Sequence, residues 1–163
     1  MRITIKGMLA IIMLALMAGR AFAADSGPAT PATNNLTAAR ARIADKNWPA
    51  AIEELKRVND TGSADWNNLM AYSLRKSDAA NYAAAEKFYD EALRIDPKHR
   101  AALEYSGELY LAMGNLPKAE QRLATLDKVC VLPCEEYTDL KKAVANYKSN
   151  GKKERPSRLP QPR

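Results

Sequence analysis

Small and apolar residues return along this chain at a fixed step of 34. Asn47-Trp48-Pro49 is followed at that step by Asn81-Tyr82-Ala83 and then by Asn115-Leu116-Pro117. The same step links Ala51, Ala85 and Ala119, then Leu55, Tyr89 and Leu123, then Val58, Ala92 and Leu126. Within each unit these positions lie on one face of a helix, so the pattern predicts three amphipathic helices starting near residues 48, 82 and 116. Each needs a partner helix before it. Ala39, Ala71 and Gly107 supply the small residues on which such partners can close.

The spacing between partners is uneven. Ala39 precedes Trp48 by nine residues and Gly107 precedes Leu116 by nine, but Ala71 precedes Tyr82 by eleven. The middle unit is therefore predicted to carry two extra residues in its turn, within Lys76–Asn81, a change that loops tolerate. Trp48, Tyr82, Tyr89, Leu93, Leu103, Tyr110, Leu116 and Leu123 are the expected fillers between the small positions. Asp96-Pro97 should end the middle unit, because proline cannot continue a helix. Pro49 and Pro117 fall in first turns, where a missing N–H is harmless. A last amphipathic stretch, Glu135–Lys148, aligns Tyr137, Leu140, Val144 and Tyr147 on one stripe. Such a helix would cap the exposed end of a stack.

Residues 68–97 and 107–120 carry this pattern most strongly and resemble the tetratricopeptide repeat family, with a weaker first unit; the likeness covers Leu36 to Val129. The run from His99 through Cys134-Glu135-Glu136-Tyr137 is similar to small exported bacterial members of that family. The resemblance implies an all-α, right-handed solenoid of about three helix-turn-helix repeats with a C-terminal capping helix. It also implies a protein-binding scaffold without enzymatic activity. In the family the first helices line the binding groove. The corresponding positions here are Asn68, Tyr72, Arg75 and Lys76 in the middle unit, and Glu104, Tyr105 and Glu108 in the third. Some members grip a terminal carboxylate with a cluster of Lys, Arg and Asn. Glu104 and Glu108 stand against that clamp here, so a peptide carrying both signs of charge is the better fit.

The ends of the chain change the picture of its charge. Arg2 and Lys6 precede an apolar run from Gly7 to Ala18, and Ala21-Phe22-Ala23 follows as a small-x-small cleavage site. This is the layout of a secretory signal peptide, over residues 1–23. Its apolar run is shorter than the roughly 20 residues of a membrane-spanning helix. Cleavage near Ala23 would remove three basic residues and bring the net charge from +6 to +3. Residues 24–35, rich in Pro, Ala, Thr and Ser, are expected to be a flexible linker before a repeat domain over 36–148. Residues 149–163 are expected to be a disordered basic tail, and Gly151–Arg163 alone carries a net +4. The body is then near neutral, which argues against a nucleic-acid partner. The tail suggests at most a weak contact with an anionic membrane surface.

The localisation expected from the leader is periplasmic or secreted. In that oxidising space the two cysteines of the chain, Cys130 and Cys134, are expected to pair. A thiol–disulfide-active role for the same pair is the alternative, although three residues intervene where the redox motif has two. Zinc would need four ligands, and His99 is the chain's one histidine, so no metal site is expected. No cofactor motif and no paired acid–base residues emerge. Glu53-Glu54 and Glu135-Glu136 are neighbours in sequence and diverge on a helix.

Overall fold

A computed structural model describes residues 36–77, 80–132 and 134–150. The leader and linker assigned above lie outside them, as do residues 151–163 of the tail. Among the described residues the chain forms seven helices and no strand: α1 (Thr37–Ala44), α2 (Trp48–Val58), α3 (Ala64–Lys76), α4 (Tyr82–Ile95), α5 (Arg100–Ala112), α6 (Leu116–Val129) and α7 (Glu135–Ser149). α1 pairs with α2, α3 with α4 and α5 with α6, and each pair packs on the next. α1, α3, α5 and α7 lie side by side in one layer, with α2, α4 and α6 behind them. This is a stack of helical hairpins, as the 34-residue period predicts.

The notches close as expected. Ala39, Ala51, Ala71, Ala85 and Ala119 are all sealed from solvent, and Gly107 is buried. Tyr89, Leu93, Leu103 and Tyr110 are buried around them, while Tyr82, Leu116 and Leu123 pack in part against the same core. A second cluster joins Leu36, Ala39, Leu55, Trp66, Leu69 and Met70, and Leu74 and Phe88 touch both. Trp66 fastens the first unit to the second: its indole N–H donates to the Leu55 carbonyl at 2.8 Å.

The recurrent asparagines have a separate task. Asn47, Asn81 and Asn115 each precede a second helix, and their side-chain oxygens accept from the backbone N–H of Ala50, Ala84 and Lys118 at 3.2, 3.0 and 3.2 Å. Each cap satisfies one of the donors that a helix start leaves open. The turn before α4 runs from residue 77 to 81, against three residues in the turns before α2 and α6. The middle unit thus has the two additional residues that the spacing calls for.

α7 takes the capping position, packing on α5 and α6 with Leu140 and Val144 buried. The helix runs on to Ser149 and Asn150 is its C-cap. Its first residue follows Cys134, which is joined to Cys130 in a disulfide with the Cα atoms 5.8 Å apart. The loop it closes is short, so its entropic contribution should be about 2 kcal/mol. The double variant Cys130→Ser/Cys134→Ser should lose about that much stability in urea titrations and keep its helical circular dichroism. A loss of helix content would show instead that the bond holds the cap in place.

Candidate functional site

The face built by α3 and α5 is organised by two tyrosines. Tyr72 and Tyr105 are half-buried, with ring centroids 4.7 Å apart and planes tilted by 46°. Trp48, at the start of α2, meets Tyr72 edge-on at 5.9 Å. The three rings make a continuous apolar strip across three repeats.

Arg75 follows Tyr72 by one turn and lies against both tyrosines, its guanidinium carbon 5.5 and 5.7 Å from their centroids. Its Nη2 donates to Glu108 Oε2 at 2.8 Å, and its side chain is only 8% exposed. Burial by itself would lower the guanidinium pKa; Tyr89 and Glu108 outweigh that and hold it above its usual value. Arg75 is therefore an internal ion pair rather than a free groove cation. Lys76 stays exposed, with its ammonium 5.6 Å from the Tyr72 ring. Partial burial and the charge of Arg75 lower its pKa.

Glu104 is the outlier of the site. It is 9% exposed, yet it forms no ion pair or hydrogen bond with the described residues. Its carboxyl is pushed up to about 7, first by burial and then by Glu108, Asp139 and Glu136, with Arg75 opposing. Tyr105 is pushed up to about 12 by burial and by Glu104. Among the described residues three polar atoms are sealed without partners: Asn68 Oδ1, Arg75 Nε and the Tyr89 hydroxyl. Burial raises the Tyr89 hydroxyl far above its ordinary value against the pull of Arg75.

The structure thus brings Tyr72, Arg75, Lys76, Glu104, Tyr105 and Glu108 into one neighbourhood. Asn68 sits one turn before Tyr72 on the same stripe of α3, buried rather than presented. Several participants are not among the residues named from the sequence. Glu136 and Asp139 extend the acidic side from α7, and Arg100 approaches Glu136 at 3.6 Å. They become legible once α7 is aligned with α5 through Leu140 and Gly107. The His99 side chain is 13% exposed. Its Nδ1 accepts from the Ala102 N–H at 3.1 Å, capping α5, which leaves Nε2 to donate to Asp65 Oδ1 at 2.9 Å. Asp65 also receives Arg40 from α1 at 2.8 Å, so one carboxylate ties three first helices together.

Away from this face, Val131 and Leu132 project beside the disulfide, 97% and 78% exposed. Isolated apolar residues are common on protein surfaces and carry no function by themselves.

A tetratricopeptide repeat family model matches residues 78–129, which contain α4, α5 and α6. Repeats of this family commonly bind protein partners and are typically non-enzymatic. No curated protein matches the chain.

Proposed function

We propose that this chain, which a tetratricopeptide repeat family model matches over residues 78–129, is a non-enzymatic scaffold of the bacterial cell envelope that holds an extended peptide on its first-helix face. The observation that carries the reading is the Trp48–Tyr72–Tyr105 strip beside the unpaired carboxyl of Glu104. Aromatic rings supply contact area at little cost in entropy, and tyrosine and tryptophan are favoured where proteins meet. Glu104 and Lys76 offer both signs of charge within that face, whereas Arg75 is neutralised by Glu108. This arrangement suits a peptide of mixed charge and not a terminal carboxylate. The envelope location draws its support from the leader-like sequence of residues 1–23.

A photo-crosslinking residue in place of Tyr105 tests the assignment. Irradiation in cells should yield a discrete adduct at position 105 and none at Gln121, an exposed residue of α6 on the opposite layer. Equal labelling at the two positions, or none at either, would remove the first-helix face as the binding surface.

A further inference from the structure

α7 forms one wall beside α5 and ends at Ser149. Beyond Asn150, residues 151–163 have the sequence GKKERPSRLPQPR. We propose that this segment is an occupant of the groove: it folds back over α5 and α3, setting basic side chains beside Glu104 and Asp139 and prolines on Tyr105 and Tyr72. The inference rests on the peptide-binding reading above and gives it a specific ligand.

Charge is the first argument. Lys152, Lys153, Arg155, Arg158 and Arg163 stand in the segment against a single Glu154. On the groove side, Glu108 is matched by Arg75 and Glu136 by Arg100, but Glu104 has no cation. Asp139 touches only Lys142, on its own helix and exposed, at 3.2 Å. A guanidinium or ammonium placed between Glu104 and Asp139 would relieve the repulsion that the folded chain builds there. Glu154 has a counterpart in Lys76, which faces the Tyr72 ring without an anionic partner among the described residues.

Shape is the second. Pro156, Pro160 and Pro162 favour an extended conformation of low entropy, and such segments dock on grooves lined by aromatic rings. Tyr72, Tyr105 and Trp48 supply that lining.

Reach is the third. Asp139 lies ten residues before the end of α7, or about 15 Å along the helix axis. Thirteen extended residues span about 40 Å, enough to run back past Asp139 and Glu104 to Tyr72. Tethering keeps the segment at a local concentration in the millimolar range. A weak intrinsic affinity is then sufficient, and an incoming partner has to outcompete it.

The test uses the full chain and a fluorescent synthetic peptide of residues 151–163. In one variant Lys152, Lys153, Arg155, Arg158 and Arg163 are all replaced by serine, which leaves the groove open. That chain should bind the peptide, and the native chain should bind it at least tenfold more weakly, because its own segment competes. Adding Glu104→Gln and Asp139→Asn to the open chain should cut peptide affinity at least tenfold with unchanged circular dichroism. Equal binding by native and open chains overturns the proposal, as does binding that ignores the two groove substitutions. Failure of the open chain to bind the peptide overturns it too, while the crosslink at position 105 reports separately on the groove itself.

Discussion

Leu140→Ala should lower the unfolding free energy by about 3 kcal/mol, within the range for emptying a sealed leucine site. Leu140 is fully buried and is the contact through which the capping helix meets α5. Its branch carbons lie against Gly107 so closely that a Cβ built there would stand 2.6 and 2.7 Å from them. Gly107→Ala therefore has two opposed effects. Alanine in the middle of a helix gains about 1 kcal/mol over glycine. Forcing a methyl group into an occupied space costs about 1–3 kcal/mol. The cost should prevail in the native chain, since Leu140 is enclosed and has little room to retreat. With Leu140 already cut back to alanine, the obstruction is gone, and Gly107→Ala should then stabilise by about 1 kcal/mol. Urea titrations of the four chains close the cycle. If Gly107→Ala has the same sign in both backgrounds, the cap is not seated through this contact.

That contact also marks the limit of what periodicity conveys. The step of 34 residues identifies Gly107 as a small position, equivalent to Ala71 and Ala39, and the stripe on α7 identifies Leu140 as apolar. Helical spacing states which face a residue occupies, and it places the hairpins, the notches and the cap. It also shows that asparagine recurs at positions 47, 81 and 115, although the capping role appears only with the hydrogen bonds to residues 50, 84 and 118.

Depth is another matter. Arg75 occupies a groove position by its place in the repeat, and a lone arginine on a helix would be free to reach solvent. Rotation of α3 against α5 instead places it over Tyr72 and Tyr105 and in line with Glu108, 33 positions further along the chain. No local pattern encodes that rotation, because it is set by the packing of two pairs at once. His99 is a parallel case. Its position before α5 is visible in the sequence, but its bond to Asp65 requires the α3 terminus to lie alongside. The acidic contribution of Glu136 and Asp139 comes from a helix that the repeat alignment does not contain.

Glu104→Gln should raise stability at pH 8 and leave it nearly unchanged at pH 4. The folded carboxyl holds its proton up to about 7, whereas an ordinary glutamate releases it near 4.5. Between those values the native state binds the extra proton, so this group's contribution is complete below the lower value and is lost as pH rises through the upper one. The full shift corresponds to an upper bound of about 3 kcal/mol, and relaxation of the neighbouring carboxylates makes 1–2 kcal/mol the expected gain for the amide at pH 8. Glu108, Asp139, Glu136 and Arg75 all act on this carboxyl, and each of the three acids sits beside a base. Glu86 works in the opposite sense. Its hydrogen bond to Lys118 lowers its pKa, so its contribution is present above 4.5 and fades as the medium becomes more acidic. The two effects thus occupy separate ranges of pH. Thermal melts of native and Glu104→Gln chains between pH 4 and 8.5 should converge at the acidic end, separate as pH rises from about 4.5 to about 7, and keep a constant gap above that. Parallel curves across that range would mean that the carboxyl is hydrated and pays no cost for its neighbours.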